Sequence, residues 1–276
     1  MKLYESLKMA FANIWASKMR SFLTMLGIII GIAAVMVIVG LGNGMENYMT
    51  ASFESMGTNT LSVDITGRGS SRTVSVDEMY KLVDDNPNDL SLISPLVSMN
   101  ATVKIGSDTA DTTGVTGVSE DYLTIKDYSA SSGRGIQYVD VLKRKKVCVI
   151  GSYVDKTYFD GSGLGQTLKI NGEQFTVVGV LKAEADSEES STDDAIYIPY
   201  STAARMSYTG TISSYVLTVP NVDKATEGKT IVEDALYKIF QDDNFYRVIS
   251  MAEMLDTMTK MLNVMISSIS AMLITR

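Results

Sequence analysis

The sequence predicts a membrane protein of the α+β class. It has an N-terminal amphipathic helix, a transmembrane helix, a large outer domain with a β-rich insertion, and the start of a second transmembrane helix. Three observations predict this. Between Arg20 and Glu46 the chain carries no charge for 25 residues. Residues 22–41 supply the roughly 20 apolar positions a helix needs to cross a bilayer core. Strand-like and helix-like patterns then alternate up to residue 250, and the chain ends in a second uncharged run, 261–275.

Residues 1–20 read as a cytoplasmic amphipathic helix. Leu3, Leu7, Phe11, Ile14 and Trp15 share one arc at helical spacing, and Lys2, Ser6 and Asn13 the other. Lys2, Lys8, Lys18 and Arg20 precede the apolar run against one acid, Glu5, and the segment after it holds acids but no Lys or Arg. The positive-inside rule therefore places the N-terminus in the cytoplasm, the transmembrane helix at 21–44 in the cell membrane, and the following domain outside. A cleavable signal peptide is the competing reading, and it has a shorter apolar core. Within the helix, Gly27 and Gly31 form a GxxxG, the spacing that lets a second helix approach closely. Glycine is also simply common in membrane helices, so both readings stand.

The outer domain is assigned to 45–256, with the β-rich insertion at about 105–210. Residues 60–65 read as a strand. Ser75 and Glu78 form a capping box for a helix ending at the Asn86-Pro87-Asn88 stop. Residues 96–106 are strand-like. From Lys145 follow a buried strand, a short helix, and two strands joined by Asn171-Gly172, a strong hairpin signal. Strands at 195–200 and 214–219, a helix at 225–240 and a strand at 245–250 complete the domain. Ser250 and Glu253 then read as the capping box of the last helix. Its uncharged stretch within 257–276 is either an amphipathic segment or the start of a second crossing, and its composition favours the crossing.

Composition narrows the function. Between residues 45 and 257 lie 31 of the 32 acids and 18 of the 24 bases, a net charge of −13. Nucleic acid needs a basic footprint and is excluded as a partner. The chain has no histidine, which removes Ser-His-Asp and Cys-His catalysis, and its one cysteine, Cys148, allows no intrachain disulfide. The glycine run at 161–165 is followed by Gln166-Thr167 rather than Lys-Ser/Thr, so it is a turn and not a phosphate loop. No catalytic residue, metal ligand or bound cofactor is assigned. The acidic run 184–194 lacks calcium-loop spacing and reads as a solvated, mobile loop. The basic run 143–146 reads as a solvated turn, or as a contact for lipid headgroups or a partner.

The residues from Glu5 to Met45 resemble the start of MacB-type ABC transporter permeases, the group that also includes FtsX-related proteins. The resemblance rests on the motif that opens the first membrane helix: Arg20, Ser21, Leu23, Thr24, Leu26, Gly27, Ile28, Ile30 and Gly31. Further matching steps are 57–63, Ser132-Gly133-Arg134, 145–151, 175–181 and Tyr197-Ile198-Pro199. The resemblance implies a porter-like α/β part with a β-rich insertion, and a permease dimer (homo- or heterodimer). It implies a separate or fused cytoplasmic ABC ATPase that uses the ATP, and an adaptor of the membrane-fusion type outside. It also implies four membrane helices, of which this sequence carries one and part of a second, so the chain reads as a fragment or a truncated product.

Three functions compete on this basis. An exporter permease that passes ATP-driven motion to its outer domain, for efflux of a drug, peptide or lipoprotein-like substrate, is favoured. An FtsX-like anchored module that regulates an extracellular enzyme or senses a ligand has the same topology. A tethered enzyme finds no constellation to support it.

Overall fold

A computed structural model describes residues 5, 8–9, 18–55, 57–66, 72–208 and 210–274. The chain divides into two compact units, Met1–Ser52 with Leu255–Arg276, and Phe53–Met254. The expected amphipathic helix 1–20 lies mostly outside the described residues; Glu5, Lys8 and Met9 are helical.

In the first unit, helix α1 (Lys18–Ser55) contains Phe22–Met45, long and apolar enough to cross a membrane, with mean hydropathy 2.9. Its large side chains, among them Phe22, Leu23, Ile28, Ile29, Ile32 and Met36, are exposed on the chain itself. Exposed apolar residues around a whole helix fit a lipid surround, which costs such groups nothing. The helix continues ten residues beyond the apolar run to Ser55.

The second unit is built on one continuous sheet. Its first part comprises β1 (Thr60–Ile65), α2 (Val76–Asp85) and β2 (Ile93–Met99). The chain returns to it with β11 (Ser214–Thr218), α7 (Ala225–Phe240) and β12 (Tyr246–Ser250). These strands lie in the order β12-β1-β11-β2, all antiparallel. Two β-α-β units interleaved in this way give the split βαβ, ferredoxin-like arrangement. The sequence explains each helix. Ser75 accepts the Glu78 N–H while the Glu78 carboxylate accepts the Ser75 N–H, closing the capping box. In α7, Ala225, Val232, Leu236 and Phe240 are buried along one stripe that packs on the sheet.

Between β2 and β11 the chain forms β3 (Val103–Ile105), β4 (Asp108–Ala110), β5 (Gly114–Val118), α3 (Tyr122–Ile125), β6 (Ala130–Gly133) and α4 (Tyr138–Leu142). It continues with β7 (Val147–Ile150), α5 (Ser152–Phe159), β8 (Thr167–Ile170), β9 (Glu173–Leu181), β10 (Ala195–Pro199) and α6 (Tyr200–Met206). The sheet extends from β2 as β5-β10-β7-β9-β8-β3-β4, with β6 on β9. Strand β2 joins the two parts. Residues 93–96 pair with β11 and residues 97–99 with β5.

The middle of this sheet is covered on both faces. Cys148 and Ile150 enter one core, and Val149, between them, enters the other with Val118, Tyr122 and Tyr197. That is why 147–150 reads as an unbroken apolar run rather than an alternating one. The strand expected at 96–106 is in fact two, β2 and β3, separated at 100–102. There Asn171 takes over, accepting the Thr102 N–H and donating its own to the Thr102 carbonyl. The Asn171-Gly172 turn forms as expected, with φ of 50° and 84°.

Candidate functional site

Four of the motifs noted in the sequence fall on the neighbouring strands β6, β9, β7 and β10. Their residues hold one junction together. Asp140, on α4, has a fully buried side chain that accepts from Arg134 at 2.7 Å, Lys145 at 2.9 Å and the Gln137 N–H at 3.1 Å. Burial alone would raise its carboxyl; the Arg134 and Lys145 hydrogen bonds outweigh burial and hold it below the usual carboxylate range. Arg134 and Lys145 thus tie the Ser132–Arg134 step to the start of β7 through one carboxylate.

Glycines make the strand crossings possible. A Cβ on Gly179 would lie 2.1 Å from the Arg134 carbonyl oxygen, and one on Gly151 would lie 2.1 Å from that of Asp193. Backbone occupies the space a side chain would need, so only glycine fits at either position. Tyr197 packs against Tyr122 and Tyr128 in tilted geometry, with ring centroids 5.3 and 6.3 Å away. Burial pushes the Tyr197 and Tyr122 phenols up, so the cluster is neutral at physiological pH.

The acidic run 184–194 is solvated at Glu184, Asp186, Glu188 and Glu189, as expected, but its last two acids are not. Asp193 and Asp194 are buried. The Asp193 carboxylate accepts the N–H groups of Glu184, Ala185 and Ser187, each at 2.9 Å. These bonds lower its carboxyl against the opposing effect of burial. Asp194 accepts from Thr112, Thr113 and the Ser190 N–H. Asp186, Ser187 and Ser190 adopt left-handed backbone, and the two carboxylates fix it. Among the described residues no group of acids is assembled that would hold a metal.

A second feature lies where the sheet ends. Strand β12 finishes at Ser250 and helix α8 (Met251–Ile274) begins at the next residue. Ser250 caps it, accepting the Glu253 N–H at 3.3 Å. The expected capping box is only half present. Glu253 turns to α7 instead, accepting from Lys229 at 2.7 Å and Thr226 at 3.3 Å. The pair holds Lys229 more firmly protonated than usual.

The residues predicted for helix packing and the opening motif all lie on α1. Thr24 donates to the Arg20 carbonyl at 2.9 Å, and Ser21 is helical. Leu23 and Leu26 are exposed. A Cβ on Gly27 or Gly31 would meet no atom within 4 Å among the described residues, so neither glycine packs on a described helix. Gly42 does. It is buried, and a Cβ there would lie 2.3 Å from Ile266 Cδ1 on α8. The sequence reading passed over Gly42 because a glycine is informative only once its partner helix is known.

Comparison with known proteins places this architecture. The profile of the MacB-like periplasmic core domain matches residues 21–233. The chain is 31% identical over 281 aligned residues to the macrolide export ATP-binding/permease protein MacB of Psychrobacter cryohalolentis, covering 98% of this chain and 42% of that protein. It is 33% identical over 209 residues to the protein of the same description in Acinetobacter baylyi, covering 73% of this chain and 31% of the other. The chain therefore spans well under half the length of these relatives. Among solved structures, the periplasmic region of MacB from Actinobacillus actinomycetemcomitans superposes with TM-score 0.63 at 18% identity, covering 76% of this chain and 97% of that one. The extracellular domain of the ABC-type transporter YknZ from Gram-positive bacteria superposes with TM-score 0.57 at 16% identity, covering 69% and 100%. The chain belongs to the MacB-like periplasmic core domain family of ABC transporter permeases, membrane proteins with an extracytoplasmic domain.

Proposed function

We propose that this chain is the permease part of an ABC exporter and that its extracytoplasmic domain is driven from the membrane. A cytoplasmic ABC ATPase hydrolyses the ATP; this chain binds no nucleotide and performs no chemistry. The N-terminus lies in the cytoplasm, as the excess of Lys and Arg before the apolar run of α1 favours. Two permeases pair, and Gly27 and Gly31, open on the chain itself, form the face where a helix of the second copy packs. An adaptor of the membrane-fusion type works with the outer domain. The relatives are named as macrolide exporters, and a macrolide is the first substrate to try.

One observation carries the coupling. Helix α8 starts directly from β12 and is held to α7 by the Glu253–Lys229 pair, with no loop to absorb movement. A continuous helix transmits displacement along its length, whereas a flexible linker does not.

The test compares macrolide accumulation in cells producing the exporter with this chain intact or with Gly-Gly-Gly inserted between Ser250 and Met251. Export lost with ATP hydrolysis retained is the expected result. Equal export by both proteins would overturn transmission through α8. Failure of the intact chain to co-purify with an ABC ATPase from membranes would overturn the exporter reading.

A further inference from the structure

The basic run 143–146 is not a uniform solvated turn. It turns at 143–144, where Arg144 adopts left-handed backbone (φ 49°), and its side chains part. Lys145 turns inward to Asp140. Arg144 and Lys146 turn to an open cleft of about 720 Å³. Helix α6 also lines that cleft, contributing Arg205, as does Asn171 of the β8–β9 turn. Two guanidinium groups and one ammonium from separate elements therefore face one concavity. Glu173 is the single acid on its wall, and it pairs with Lys146 at 3.1 Å. That pair is half-exposed on both sides and is worth little. Among the described residues neither the Arg144 nor the Arg205 guanidinium has an ion-pair or hydrogen-bond partner.

The cleft lies in an acidic domain. Acids outnumber bases 31 to 18 between residues 45 and 257, yet none pairs with these two arginines. Guanidinium forks match carboxylates in bidentate geometry. The exposed Tyr208 also lines the cleft and offers a flat apolar contact. The acidic domain around the cleft would repel a long polyanion, so the ligand that fits carries its negative charge locally.

We propose that the cleft between residues 144–146 and α6 is a docking site for a short acidic peptide segment of a partner protein. Arg144 and Arg205 bind its carboxylates, and Lys146 adds charge once Glu173 gives way. This inference is independent of the exporter reading.

The test uses the full chain in phosphatidylcholine nanodiscs and a fluorescein-labelled hexaglutamate peptide, followed by fluorescence anisotropy at low salt. Binding is expected, and it weakens by about tenfold or more in Arg144→Glu/Arg205→Glu, because charge-assisted hydrogen bonds are lost. Lys104→Glu, an equally exposed charge change on β3, leaves binding unchanged. Both variants keep their melting temperature, since all three side chains are on the surface. No binding, or equal loss in the Lys104→Glu control, would overturn the proposal. Displacement of the peptide by inorganic phosphate, but not by acetate at the same ionic strength, would also overturn it and make the cleft a phosphate site.

Discussion

Asp140 is a carboxylate with no exposed surface, and two cations and a backbone N–H converge on it. Asp140→Asn keeps the shape and removes the charge. It should lower stability by about 2 kcal/mol, read as a fall in melting temperature of the detergent-solubilised chain. The pH dependence follows from the same group and from Asp193. Both have folded-state pKa values below the unfolded ones, so the unfolded chain binds more protons at low pH. Their stabilisation is fully present above the unfolded value near ~3.9 and is lost as pH falls through the lower folded values. Melting temperature should therefore hold down to about pH 5 and drop below about pH 4, less steeply in Asp140→Asn/Asp193→Asn. Gly151→Ala and Gly179→Ala each push a methyl into a carbonyl oxygen and should cost about 1–3 kcal/mol or more. Gly210→Ala, with open space around it, should change little in the same thermal scan.

Two contacts decide how the helices behave as elements. Gly42 receives Ile266 of α8 within the first unit, while Gly27 and Gly31 meet none of the described residues. Glycine at such a contact lets helices approach closely where lipid offers no hydrophobic driving force. Gly42→Leu should destabilise the chain itself by about 1–3 kcal/mol, seen as a lower detergent melting temperature. Gly27→Leu should leave that temperature unchanged and reduce crosslinking between copies; undiminished crosslinking would remove Gly27 from the dimer face. At the other end of α8, Glu253→Gln removes the charge that holds it to Lys229. The partly exposed pair is worth about 0.5–1 kcal/mol, so folding should survive. Under the exporter reading, substrate export per ATP hydrolysed should fall in Glu253→Gln.

For the whole molecule, much was legible in the sequence because it depends on short-range pattern. The membrane run, the Ser75–Glu78 capping box, the Asn171-Gly172 turn and the helix at 225–240 are each set by residues within a few positions of one another. The motifs that carried the family resemblance were also visible, though not their reason. Gly151, Gly179 and Arg134 are dictated by partners 42, 45 and 6 positions away, at Asp193, Arg134 and Asp140. Strand β5 is not legible in the sequence, since Gly114 and Gly117 argue against a strand until its parallel pairing with β10 is known. The split of the basic run 143–146 between Asp140 and an open cleft was equally invisible. The sequence by itself determined the solvent, the local elements and the family, because hydropathy, capping and turn chemistry act along the chain. Only the tertiary structure decided which charges are buried, which glycines are crossings and where the unpaired arginines meet, because those depend on burial and distance between segments far apart in sequence.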